Sequence, residues 1–123
     1  MVRLSSIEIR LNVNAVNQAL EFYCNELGLF SLHRDYGMGN ISIVYKNNPS
    51  FKLMIFEGQT INVEYPLFSI ETENCTKLFH QLLGTNFSSN GKLISKSVFE
   101  YPIGKNILLQ DPSGNKFLIF ENF

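Results

Sequence analysis

The chain has 123 residues, 45% of them apolar and 17% charged, with a net charge of -1. That length supports one domain with a proper core, and that composition is globular rather than disordered. A near-neutral balance without a basic block argues against a nucleic-acid groove, and no apolar run approaches the ~20 residues of a membrane-spanning helix.

The N-terminal residues Met1-Val2-Arg3-Leu4-Ser5-Ser6 lack the apolar core of a signal peptide, so the expected location is cytoplasmic. Cys24 and Cys75 fall inside helical patterns, without CxxC spacing or a neighbouring histidine. They read as two free thiols.

Ile7 to Val13 alternates strictly. Ile7, Ile9, Leu11 and Val13 share one face, and Glu8, Arg10 and Asn12 share the other, which predicts a strand with one apolar and one polar side. Asn14 to Gly28 predicts a helix, with Asn14 as N-cap, Val16, Leu20, Tyr23 and Leu27 as the apolar stripe and Gly28 as the stop. Three strands are expected next, at Leu29 to Asp35, Ile41 to Tyr45 and Phe51 to Glu57. Tyr36-Gly37-Met38-Gly39-Asn40 and Lys46-Asn47-Asn48-Pro49-Ser50 form the turns between them.

After a connector at Gly58 to Glu64 the order restarts. Tyr65 to Glu71 reads as a strand and Thr72 to Gly84 as a helix with Cys75, Leu78, Phe79, Leu82 and Leu83 as its apolar set. Asn86 to Gly91 is a polar loop. Strands are expected at Ser95 to Tyr101, Lys105 to Gln110 and Lys116 to Glu121. The final strand repeats an earlier one: Lys116-Phe117-Leu118-Ile119-Phe120-Glu121 matches Lys52-Leu53-Met54-Ile55-Phe56-Glu57 at four of six positions. The chain therefore reads as an α+β fold of two tandem βαβββ units, residues 5–57 and 65–121, within one domain spanning 1–123. Two such units side by side make an incomplete barrel around a cleft, with the helices outside and the polar strand faces lining the cleft.

Two motifs on this duplicated pattern carry a resemblance. Ala19-Leu20-Glu21-Phe22-Tyr23 followed by Leu27-Gly28-Leu29 is similar to the helix signature LxFYxxxLG, and Asp111-Pro112-Ser113-Gly114-Asn115 is similar to the turn DPxGN. Both belong to the vicinal oxygen chelate superfamily, which includes glyoxalase I, extradiol dioxygenases, fosfomycin-resistance enzymes and bleomycin-resistance proteins. The resemblance covers essentially the whole chain.

It implies a divalent metal held by His and Glu on the first and last strands of each half. Carried over to this sequence, those positions are Glu8, Met54, a residue near Tyr65, and Leu118, seven residues after the aspartate of the turn. Only Glu8 is an ordinary donor; Met54 is a soft thioether, Tyr65 needs deprotonation and Leu118 cannot coordinate. No metal and no cofactor are expected. The branch resembled is then the bleomycin-resistance type, which binds a small organic molecule without transforming it, as a homodimer.

Ligand-binding candidates are the polar strip Glu8, Arg10 and Asn12, with Arg10 available for a carboxylate or phosphate. Met54, Phe56, Leu118 and Phe120 are expected beside it, with Tyr65, Leu67, Phe99 and Tyr101 as further apolar and aromatic lining. The same residues fit a bland reading: a Glu8–Arg10 pair or a solvated sheet face, and a narrow cleft packed with its own side chains. His33-Arg34-Asp35 reads as polar residues of an edge strand, His80 as a solvated helix side chain, and Glu57 and Glu121 as charges capping sheet ends. A degenerate metal enzyme, or one using Glu8 as a base, is the alternative function. An interaction module is the third.

Overall fold

In the computed structural model, residues 1–61 and 63–123 are described. They form two compact units, Met1–Ile61 and Asn62–Phe123. The connector read over Gly58 to Glu64 contains Asn62, which lies outside the described residues.

The first unit runs β1 (Ile7–Val13), α1 (Val16–Leu20), a π-helical continuation (Glu21–Glu26), β2 (Phe30–Gly37), β3 (Asn40–Tyr45) and β4 (Phe51–Glu57). Its sheet is open, with strand order β1-β4-β3-β2. β1 lies parallel to β4, while β4, β3 and β2 are antiparallel. The apolar alternation seen in the sequence buries Leu11, Val13, Leu53 and Ile55, together with Ile41 and Ile43, on the face that α1 covers. From the helix come Val16, Ala19, Phe22 and Tyr23.

Phe22 and Tyr23 are adjacent and so ~100° apart at ordinary α spacing, the full width of a typical apolar stripe. The helix widens to a π turn here. Leu27 N–H donates to Phe22 O at 2.9 Å, an i to i−5 bond. Phe22 and Tyr23 are then both buried and meet edge to face, centroids 4.9 Å apart. Leu20 and Leu27, read from the sequence as part of the stripe, are only half-buried. Gly28, at φ +67, ends the helix in the left-handed region that glycine adopts without a Cβ clash.

Asn14 does not cap α1. Ala15 occupies the N-cap position, and the Asn14 side chain accepts from Thr60 Oγ1 at 3.2 Å. The first helical N–H, that of Val16, donates to Glu57 Oε2 at 2.9 Å. Gly39 makes room for this arm: a Cβ there would lie 2.6 Å from Glu57 Cβ.

The second unit runs β5 (Ser69–Glu71), α2 (Cys75–Leu83), β6 (Lys92–Leu93), β7 (Phe99–Tyr101), β8 (Gly104–Gln110) and β9 (Lys116–Asn122). Its sheet order is β5-β9-β8-β6, with β7 also paired to β8. It repeats the first unit: β5 runs parallel to β9, and α2 packs on β8 and β9. The cap repeats as well, because Cys75 N–H donates to Glu121 Oε1 at 2.8 Å. Here the N-cap residue also contributes, Asn74 Oδ1 accepting from Lys77 N–H at 2.9 Å. Glu57 and Glu121 thus cap helices rather than sheet ends, which explains why the sequence echo finishes on glutamate.

Two expected strands are shorter than their patterns. Tyr65 to Glu71 reduces to Ser69–Glu71; Pro66 has no N–H to give to a ladder, while Leu67 N–H still donates to Lys116 O at 2.8 Å and Phe68 O accepts from Leu118 N–H at 3.1 Å. Ser95 to Tyr101 keeps only Phe99–Tyr101, with the separate Lys92–Leu93 before it. The break falls where Ile94 and Ser95 N–H groups share Leu108 O while Ser95 Oγ accepts from Leu108 N–H at 2.7 Å. A side chain has replaced the ladder bond there. Among the described residues no helix is long and apolar enough to cross a membrane.

Candidate functional site

Cross-strand partners share a sheet face, so register decides which side chains stand together. In the first unit Glu8 is opposite Lys52, Arg10 opposite Met54 and Asn12 opposite Phe56. These six form the face turned away from α1. Lys52, Met54 and Phe56 are half-buried, while Glu8 and Asn12 are exposed. The Arg10 guanidinium lies over the Phe56 ring, 4.5 Å from its centroid. Among the described residues Glu8 and Arg10 form no ion pair within 4 Å. Stacked as it is, Arg10 keeps in-plane N–H donors that an anionic or carbonyl ligand could use.

In the second unit Leu118 pairs with Ser69 and with Leu108, and Phe120 pairs with Glu71 and Asn106. Phe99 is opposite Asn106 and Tyr101 opposite Gly104, which puts both rings on that same face. The two rings stack with centroids 5.9 Å apart. The sheet thus brings Phe99, Tyr101, Leu118 and Phe120 onto one side, with Asn106 and Glu71 as polar members.

Tyr65 and Leu67 both precede β5, and Tyr65 is 63% exposed, but Leu67 is tied to β9 by its N–H, which donates to Lys116 O at 2.8 Å. The residues that register makes equivalent to Arg10 and Asn12 are Ser69 and Glu71, neither of which the sequence pattern singled out. Glu71 falls on the same alternation as Tyr65, Leu67 and Ser69, and its Oε2 accepts from Asn122 Nδ2 at 3.5 Å.

The metal implied by the resemblance does not fit these side chains. Met54 sits against Arg10, and Leu118 offers only carbon. Among the described residues no three His, Cys, Asp or Glu side chains come together as a cation site. No thiol is set up as a nucleophile: burial pushes the Cys24 thiol up, with Lys46 opposing, and burial and then Glu121 push Cys75 up. His80 is exposed and packs edge-on to Phe79, 5.7 Å between centroids. A shallow depression of about 590 Å³ lies elsewhere in the second unit, at the end of α2, lined by Leu83, Phe87, Lys92 and Ile94 among others. It contains none of the sequence-derived candidates. What the two faces offer is binding chemistry: aromatic and aliphatic surface beside a guanidinium, an amide and carboxylates.

The chain matches no protein-family model and no curated protein. Solved structures match it throughout. UcmS2 is 19% identical, covers 98% of each chain and superposes with a TM-score of 0.74. TnmS3, an antibiotic binding protein from Streptomyces sp. CB03234, is 15% identical over 100% of this chain and 99% of its own, with a TM-score of 0.73. A glyoxalase/bleomycin resistance protein/dioxygenase superfamily member from Sphaerobacter thermophilus DSM 20745 is 18% identical over 98% of each chain, also at 0.73. Duplicated βαβββ units, the same strand order in both and near-complete superposition lead to one conclusion: the chain has the fold of the glyoxalase/bleomycin-resistance/dioxygenase superfamily.

Proposed function

We propose that this protein binds a small, mostly apolar or aromatic organic molecule and does not transform it. The observation that carries the reading is the face of the first sheet, where Arg10 lies over Phe56 beside Met54 with no ion pair of its own. Aromatic area next to an uncommitted polar group is what orients a flat ligand. The stacked Phe99 and Tyr101, with Leu118 and Phe120, supply a second such surface. Glu8 and Asn12 set the polar edge, and Tyr65 and Leu67 are available outside the strands. The donor chemistry at Met54 and Leu118 speaks against a metal-dependent reaction. The fold match to an antibiotic binding protein supports a binding role. A homodimer and a cytoplasmic location belong to the same reading; the first follows the family resemblance, and two free thiols agree with the second.

Scanning fluorimetry against a panel of planar drugs, metabolites and dipeptides tests it. A true ligand at ~100 times its Kd adds about 2.7 kcal/mol and raises the midpoint by several degrees. Phe56→Ala should abolish that rise. A panel without any stabilising member, or a stoichiometric divalent metal in native protein that is lost on Glu8→Ala, would overturn the proposal. Sedimentation at the mass of one chain would remove the dimer.

A further inference from the structure

The polar face of the first sheet carries a second guanidinium. Register sets four residues in one row across the four strands: Arg10 on β1, Met54 on β4, Ser42 on β3 and Arg34 on β2. Strands are ~4.8 Å apart, so the row spans ~14 Å between the arginine Cα atoms, with Met54 and Ser42 between them. Both arginines are long enough to reach inward over that gap.

Ser42 is 1% exposed, yet among the described residues its Oγ has no hydrogen-bond partner. A buried hydroxyl left unpaired is costly and calls for an explanation. Its neighbours along β3, Ile41 and Ile43, point to the opposite, helix-covered side, so Ser42 belongs to the face that holds Arg10 and Met54. Each of the two guanidinium groups lies near an aromatic ring. Arg34 lies 5.6 Å from the Tyr36 ring centroid, as Arg10 lies over Phe56, and neither forms an ion pair among the described residues. With Lys52 included, this face carries three cations against the single carboxylate of Glu8, on a chain whose net charge is -1.

We propose that this row is an anion subsite. It takes the carboxylate, or an equivalent oxyanion, of an aromatic ligand. Arg10 and Arg34 close on the anion from either side, the Ser42 hydroxyl donates to it from the sheet, and the ring rests on Met54 and Phe56. Binding swings the long side chains of the row aside from Ser42 and supplies the acceptor that its hydroxyl lacks. The subsite rests on the small-molecule reading above and narrows its ligand class to aromatic acids.

Calorimetric titration with naphthoate and with naphthamide tests it, since the two share a ring and differ in charge. The wild-type protein should bind naphthoate about tenfold more tightly than naphthamide. Arg34→Gln, an exposed position, should cut that preference to about threefold, since Arg10 remains, and leave naphthamide affinity unchanged. Ser42→Ala should weaken naphthoate about threefold without lowering the thermal midpoint, because an unpaired buried hydroxyl has been removed. Equal affinity for the two probes, or a preference that Arg34→Gln leaves undiminished, overturns the anion subsite and leaves the aromatic site standing. Binding of neither probe at millimolar concentration removes both.

Discussion

Asp111→Ala is expected to lower the unfolding free energy by about 3–5 kcal/mol, the largest effect of any single polar change in the second unit. Asp111 is fully buried inside the turn between β8 and β9. Its Oδ1 accepts from Ser113 N–H and Asn115 N–H, both at 2.9 Å, and its Oδ2 accepts from Asn115 Nδ2 at 2.9 Å. The backbone closes the same turn, with Asp111 N–H donating to Asn115 O at 2.8 Å and Gly114 N–H to Asp111 O at 3.1 Å. Three donors aimed at one carboxylate compensate its loss of water. Alanine leaves those donors in place with nothing to accept from them. Asp111→Asn should cost less, since one oxygen remains, but its amide would face the Asn115 amide donor to donor. Urea denaturation measures both. A loss below about 1 kcal/mol for the alanine variant would show that the carboxylate is not what holds the turn.

Glu57→Ala and Glu121→Ala should each cost about 1–2 kcal/mol, and the double variant their sum. Each carboxylate accepts the first helical N–H of its own unit, at a helix end where the backbone dipole favours negative charge. The glutamine variants keep an acceptor oxygen and lose the charge, so about half of each effect should return. α1 has no side-chain cap of its own, whereas α2 also has Asn74. Loss of Glu57 should therefore expose the Val16 amide to hydrogen exchange more than loss of Glu121 exposes that of Cys75. Equal protection in wild type and Glu57→Ala would remove the cap from the stability account.

What could be read from the sequence was whatever depended on local periodicity. β1 has the expected bounds because strict alternation with one apolar face leaves little choice of register, and β4 has them because Pro49 before it and Gly58 after it punctuate an apolar run. The echo between Lys52 to Glu57 and Lys116 to Glu121 located the duplication, and the polar strip of Glu8, Arg10 and Asn12 stands on one face as read. The features that escaped are non-local. Nothing near Asn14 shows that its capping role belongs to a residue more than forty positions away. Pro66, which cannot donate to a ladder, was the available sign that β5 begins after Tyr65. Arg34 and Ser42 become neighbours only once β2 is paired to β3, and that ladder has an irregularity between Leu32 and Arg34 that simple alternation misses. The isoleucines around Ser42 were the available clue, since they placed the serine on the polar side.

The glutamate caps also bear on the order of folding. They join residues 41 and 46 positions apart, tying the end of each unit's last strand to the start of its helix. A contact of that separation gains its partner only after the intervening chain has been laid down. Loss of either glutamate should consequently quicken unfolding and leave the refolding rate nearly unchanged, with φ near zero in stopped-flow chevrons. Each unit would then close as a buckle does, after the strap is already in place, and its lifetime once folded would depend on the buckle more than on the weave.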